Sequence, residues 1–300
     1  MVYDCAVIGG GPAGLNAALV LGRARRSVAL LDDNRPRNAV SRETHGFLTR
    51  DGIRPSEFRR LAREELAGYP SVAMAAGRVV HVRRFPQALE LALDNGSWLQ
   101  AKTLILAAGF KETLPDIPGV HDFYGRSLFN CPYCDGWELR DKALVLVSDG
   151  PQLTYMAKLL YNWSRDLLLC TQGGAGVAPA DRQALEAKGL RIETRRISRF
   201  SGTDGALERV EFEDGTWVRR DGGFVRTRWT QAVPFGAELG CRMNGQGGIL
   251  ADAFGRTSVP GVYAAGDAAA AGPSQLIIAA AAGSRAAMGV NLQLTEEAFR

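Results

Sequence analysis

Residues 3 to 33 read as strand, glycine turn, helix, strand and acid, and that order leaves a chain few folds to adopt. Tyr3 to Ile8 is a short apolar run of strand length. It leads into Gly9-Gly10-Gly11-Pro12-Ala13-Gly14, a helical pattern runs on to about Arg25, and Ser27 to Leu31 forms a second strand ending at Asp32 and Asp33. Gly9 permits the tight turn, Gly11 lets backbone approach a pyrophosphate, and Gly14 lets helix and strand meet closely. The pyrophosphate would rest on the helix N-terminus, where free N–H groups and the dipole favour anions. Asp32, eighteen positions after Gly14, can take ribose hydroxyls. The spacing predicts a dinucleotide-binding unit.

The layout recurs about 140 residues further on. Ala143 to Val147 reads as a strand, Ser148-Asp149-Gly150-Pro151 as a turn, Gln152 to Trp163 as a helix and Asp166 to Cys170 as a strand. Between the repeats, Arg54 to Leu66 is patterned as an amphipathic helix. Residues 71 to 98 alternate like a small sheet with Asn95-Gly96 as its hairpin turn. Thr103 to Gly109 is a buried strand ending in small residues, and Pro115 with Pro118-Gly119 reads as a linker. After Phe235 the chain returns to the first domain through short glycine-bounded strands at Gly245 to Ile249 and Gly261 to Ala265. A small-residue helix from Gln275 to Asn291 follows. The expected fold is α/β, with two Rossmann-like dinucleotide-binding domains, the second inserted into the first. The discontinuous domain takes residues 1–114 and 233–300, and the insert takes 115–232.

The insert opens with Cys131-Pro132-Tyr133-Cys134-Asp135-Gly136. Two thiols at this spacing can close a reactive disulfide, and the adjacent acid suits proton-coupled exchange. A zinc site would need a second pair or nearby histidines. Cys5, Cys170 and Cys241 are scattered singly, and His45, His81 and His121 form no pair. A structural disulfide is the bland alternative, but Asp4 stands where an export signal would be basic, so a cytoplasmic chain is expected. The most apolar stretch, Ala264 to Gly283, carries Asp267 and Pro273 and makes a poor membrane span. A formal charge of +4 over 300 residues argues against nucleic acid as the main partner.

With Gly261-Val262-Tyr263-Ala264-Ala265-Gly266-Asp267 added, the pieces in this order resemble the low-molecular-weight thioredoxin reductases, a family of flavoprotein disulfide oxidoreductases. The resemblance covers essentially the whole chain. It implies a homodimer that passes electrons between FAD and the Cys131–Cys134 disulfide, then to a thioredoxin-like protein or a small disulfide. By position, Gly9, Gly11, Pro12, Ala13 and Gly14 would hold the FAD diphosphate and Asp32 the adenosine ribose. Asp267, after Gly266, would face the ribityl chain, and Gln275 with Leu276 the flavin pyrimidine end. Asn38, His45, Ala108 and Gly109 complete the implied FAD set. Cys134 would face the flavin, Cys131 would exchange with substrate, and Asp135 would shuttle the proton.

The second turn departs from that family. Ser148-Asp149-Gly150-Pro151-Gln152-Leu153 stands where GxGxxA is expected. Ser148 puts a Cβ in the tight turn, and Leu153 puts a bulky side chain at the helix–strand contact. Asp149 places a carboxylate near the pyrophosphate seat. At ~5 Å and an effective dielectric of ~20, that repulsion is about 3 kcal/mol per phosphate charge. Thr171-Gln172-Gly173-Gly174 replaces the family's His-Arg-Arg cluster for a 2′-phosphate. Asp149, Gly150, Pro151 and Gln152 therefore mark a second dinucleotide site with two readings. It is a drifted NADPH or NADH site, or the reductant is not NAD(P)H and a second FAD occupies the insert, as in some relatives. Pro273-Ser274 replaces the family's Arg before Gln275. A dithiol oxidase passing electrons to O₂ and a non-catalytic flavin redox sensor are the remaining alternatives; Asp135, where such oxidases often carry His, speaks against the former.

Overall fold

The computed structural model describes residues 2–174, 176–269 and 275–300. The chain is α/β and divides into two compact units. One contains Met1–Ala39, Gly46–Lys111 and Trp229–Arg300, and the other contains Val40–His45 and Glu112–Arg228. The crossings thus fall at 111–112 and 228–229, and the short segment Val40–His45 groups with the inserted unit.

In the first unit, the strands run Val72–Ala76, Val28–Asp32, Val2–Ile8, Trp98–Leu106, Leu89–Leu93 and Val79–Arg84 across one sheet. Trp98–Leu106 serves two partners on one edge. Its first half pairs antiparallel with Leu89–Leu93, and its second half pairs parallel with Val262–Ala264. Cys5, Ala6 and Val7 are fully buried and Ile8 nearly so. Such continuous burial is what a parallel strand covered on both faces requires.

Helix Pro12–Arg23 begins with Pro12 in its first turn, where a missing N–H costs nothing. Its buried face is Ala13, Gly14, Ala17, Ala18 and Leu21. Against it packs helix Leu276–Ala298, whose buried residues include Ala280, Gly283, Ala286, Ala287 and Val290. Small residues on both sides let the two backbones approach closely: a Cβ at Gly283 would fall on the Ala13 carbonyl oxygen. This helix runs past Asn291, its expected end. The Tyr263 hydroxyl bonds the Gly289 carbonyl and the Gln293 side chain, which ties the extra turns to the sheet.

One expected strand is absent. Residues 245–249 supply only an isolated bridge, Met243 to Ile249. Gly245, Gly247 and Gly248 crowd this stretch, and Gly247 has a positive φ of 83°, which breaks an extended run.

The inserted unit carries a parallel sheet in the order Arg191–Glu193, Leu167–Cys170, Leu144–Val147, Gly222–Val225 and Leu128–Phe129. A three-stranded antiparallel sheet, Ile197–Thr203, Ala206–Phe212 and Trp217–Arg219, lies in sequence between Arg191–Glu193 and Gly222–Val225. Leu153, expected to obstruct, is fully buried in a core with Leu144, Leu146, Ala157 and Phe224. The helix Gly150–Leu160 forms around it because Gly150 takes the turn at φ 54° in place of Ser148.

Packing constrains the glycines of the turn unequally. A Cβ on Gly14 would strike the Gly9 carbonyl oxygen, whereas one on Gly11 would meet nothing within 4 Å. In the ligand-free protein, Gly14→Ala is expected to lower unfolding free energy by about 1–3 kcal/mol through overpacking. Gly11→Ala should leave it unchanged. Urea unfolding of the two variants beside the parent checks this, and equal losses would contradict it.

Candidate active site

In the first unit, the cradle lies where the strand order turns back, between Val2–Ile8 and Trp98–Leu106. Ligands of open α/β sheets bind at such a point, beyond the carboxyl ends of the strands. Gly9 turns at φ 111° with its Cα against the Ala107 carbonyl and Ala108. Gly11 precedes Pro12 with open space above it. Open space, free N–H groups at a helix start and backbone too close for side chains fit a diphosphate.

Asp32 ends the second strand, and Arg63 Nη2 donates to its carboxylate at 2.6 Å. A Cβ on Gly10 would land on that carboxylate. The motif spacing assigns nothing to Gly10, and its lack of a side chain is what lets Asp32 sit beside the turn. Gly109, at φ 70°, would bring a Cβ to 3.8 Å from Asp267 Cβ. Gly266, at φ 64°, stands against Ala13. Asn38 lies in the turn Arg37–Val40. Gln275 caps the helix that Leu276 begins, and a Cβ on Gly46 would come to 3.2 Å from Gln275 Nε2. The structure therefore groups Gly9, Ala13, Gly14, Ala108, Gly109, Gly266 and Asp267 beyond the carboxyl ends of the central strands, with Gly46 beside Gln275. Pro273 and Ser274 lie outside the described residues.

In the inserted unit, Cys131 and Cys134 form a disulfide with Cα atoms 5.3 Å apart. Cys131 caps the short helix Pro132–Asp135, and its carbonyl accepts from the Cys134 and Asp135 N–H groups at 3.1 and 3.2 Å. Gly136 follows because Trp163 leaves no room for a side chain there: a Cβ would come to 2.9 Å from its ring. The Tyr133 ring meets Trp163 edge-on at 5.6 Å. Tyr133 and Trp137 remain 57% and 64% exposed, so aromatic surface stands beside the disulfide.

Burial pushes the Asp135 carboxyl up to about 7; the charge of Glu138 adds to the rise and His45 opposes it. His45 Nε2 lies 3.7 Å from Glu138 and 3.8 Å from Glu43. His45 is thus seen against acids of the inserted unit. Nothing local in the sequence signals this pairing.

In the inserted sheet the matching point, where the strand order turns back, lies between Leu144–Val147 and Gly222–Val225. Asp149 caps the helix, Pro151 and Gln152 lie in its first turn, and Arg226 donates to the Asp149 carboxylate. Sequence reasoning missed Arg226, whose charge offsets the repulsion expected of Asp149. Gly150 has open space around it. Ser148 Oγ and Thr171 Oγ1 are buried without a hydrogen-bond partner among the described residues. Both hydroxyls follow adjacent strands, and buried polar atoms of this kind call for a ligand or water. The Gln172 side chain is taken by the Ile197 N–H at 2.6 Å. Among the described residues no cluster of His, Cys, Asp and Glu could hold a metal ion. No helix there is long and apolar enough to cross a membrane.

The pyridine nucleotide-disulphide oxidoreductase family model matches residues 3–151 and 163–283. The thioredoxin reductase aclD of Aspergillus oryzae is 31% identical, over 98% of this chain and 96% of its own length. The thioredoxin reductase sirT of Leptosphaeria maculans is also 31% identical, over 97% and 94%. A Bacillus anthracis crystal structure described as the thioredoxin reductase TrxB superposes with a TM-score of 0.94 at 43% identity, covering 98% and 99% of the two chains.

A carboxyl raised to about 7 binds a proton in the fold that it loses in the unfolded chain between its ordinary pKa and 7. Its contribution to stability is present at low pH and fades as pH rises through 7. Asp135→Asn cannot ionise, so its stability relative to the parent should be higher at pH 8 than at pH 5. Thermal melts of both proteins across that range check the sign; parallel curves would contradict it.

Proposed function

The chain belongs to the pyridine nucleotide-disulphide oxidoreductase family and is a flavin-dependent disulfide oxidoreductase of thioredoxin reductase type, and we propose how its residues divide that work. The observation that carries the proposal is the Cys131–Cys134 disulfide with Asp135 beside it, protonatable near neutrality. FAD, when bound, supplies a two-electron carrier. Gly9, Gly11, Pro12, Ala13 and Gly14 would hold its diphosphate, Asp32 its adenosine ribose and Asp267 its ribityl chain. Ala108, Gly109, Asn38, His45, Gln275 and Leu276 would complete the site.

Once the pair is reduced, the Cys131 thiolate attacks the substrate disulfide, and one substrate sulfur leaves as a thiolate. Asp135 donates the proton that this sulfur takes up. The Cys134 thiolate then attacks the mixed disulfide, releases the second substrate sulfur and restores the Cys131–Cys134 bond. A thioredoxin-like protein or a small disulfide is the proposed substrate, and the exposed Tyr133 and Trp137 offer it a surface. Two copies of the chain are proposed to associate. Exposed Ile277, Ile278, Met288 and Leu292 on the last helix support that. A cytoplasmic setting suits a dithiol that must cycle.

The reductant is proposed not to be NADPH. The loop 171–174 carries no basic side chain for a 2′-phosphate, and Gln172 is already bonded to the Ile197 N–H. A second FAD in the inserted unit is the companion reading. The Asp149–Arg226 pair and the unpartnered Ser148 and Thr171 hydroxyls favour an alternative, an NADH site.

Purified protein is to be denatured, its released cofactors identified, and the native form mixed anaerobically with NADPH and with NADH. The flavin is expected to stay oxidised with NADPH, and Cys134→Ser is expected to abolish disulfide reduction by every donor. Rapid bleaching by NADPH would overturn the first statement, and full activity of the Ser variant the second.

A further inference from the structure

Four side chains of the first unit form a row that ends at Asp267. Phe110 is buried, and Trp229 packs on it with ring centroids 5.8 Å apart. The Arg37 guanidinium lies 5.4 Å from the centre of the Trp229 ring. Its Nη2 donates to Asp267 Oδ2 at 3.1 Å, across 230 residues of sequence. Arg37 and Asp267 side chains are 26% and 20% exposed, so solvent screens this pair less than a surface one. Gly109 precedes Phe110 and faces Asp267. Gly109 therefore stands beside the Asp267 Cβ, and the carboxylate is held by a guanidinium that packs on a ring.

A carboxylate that bonds a ribityl hydroxyl carries a penalty, because the same ligand bears a diphosphate of like charge. A cation fixed on the carboxylate removes most of that repulsion. It also holds the side chain in one rotamer before the ligand arrives. A flexible lysine would supply the charge without the planar fork. The ring under Arg37 adds a cation–π contact that favours one guanidinium orientation.

We propose that Arg37, seated on Trp229, is a positioning residue for the flavin: it fixes the Asp267 carboxylate for the ribityl chain and cancels its charge toward the diphosphate. This rests on the reading that Asp267 faces FAD.

The test follows FAD release from the holoprotein on serial dilution, read by the return of free-flavin fluorescence. Arg37→Met is expected to weaken FAD binding by about tenfold or more, the scale of one charge-assisted hydrogen bond. Arg37→Lys should recover part of that loss. In an Asp267→Asn background, Arg37→Met should add little, because the group it positions is gone. Should Arg37→Met fail to fold, Trp229→Leu reads the same clamp: it must weaken binding in the parent and not in Asp267→Asn. Urea unfolding of the flavin-free proteins separates stability from affinity.

Equal affinity of Arg37→Met and the parent, with Asp267→Asn weakened, would overturn the proposal alone. So would additive losses in the double variant. Parent-like affinity of Asp267→Asn would overturn the reading of Asp267 and the proposal with it.

Discussion

The structure depends on backbone meeting backbone at the end of the first strand. Gly9 lies against the Ala107 carbonyl, Gly14 against Gly9, and Gly283 against Ala13. Each contact is too close for a side chain, so three stretches of sequence converge on one small volume. That convergence joins the two ends of the chain into a single unit. It also leaves the first helix turn facing open space at Gly11, and Asp267 and Gln275 are brought to the same unit by the returning segment. Packing thus constrains Gly9 and Gly14 of the motif, while Gly11 is left with space around it.

The inserted unit repeats the strand–turn–helix plan with different chemistry. Its turn is carried by Gly150, its helix start by Asp149, and an Asp149–Arg226 ion pair stands across the gap between neighbouring strands. The same unit presents the disulfide on a one-turn helix. There, partial burial and a neighbouring Glu138 keep the Asp135 carboxyl protonatable near neutrality. Ordinary carboxylates would be ionised at that pH and could not supply a proton to a leaving thiolate. Burial of one side chain thus connects local packing to the chemistry of the pair.

Features that depend on neighbours in sequence were legible: the glycine spacing, the Cys131–Cys134–Asp135 grouping, the two repeats and the α/β class. The helix over residues 54–66 was also readable, since its apolar period is local; it is observed at Pro55–Ala67. Contacts that depend on the folded path were not. Arg63 reaches Asp32, Arg37 reaches Asp267 and Arg226 reaches Asp149 from 31, 230 and 77 residues away. No period or motif encodes such pairs. Leu153 illustrates the opposite error. Read as an obstruction by comparison with a smaller residue, it is a core side chain, because the turn before it shifted to Gly150. Gly245, Gly247 and Gly248 suggest the bounds of a strand by pattern, yet in the fold they leave only an isolated bridge.

The central claim is that the flavin and the Cys131–Cys134 pair exchange electrons. Anaerobic reductive titration with dithionite tests it most directly, with free thiols counted at each point. Because a disulfide takes up two electrons, the parent should consume one two-electron equivalent more than Cys134→Ser before its flavin is fully reduced. Two new thiols per chain should appear over that interval. Equal consumption by the two proteins, with no thiols released as the flavin bleaches, would contradict the account.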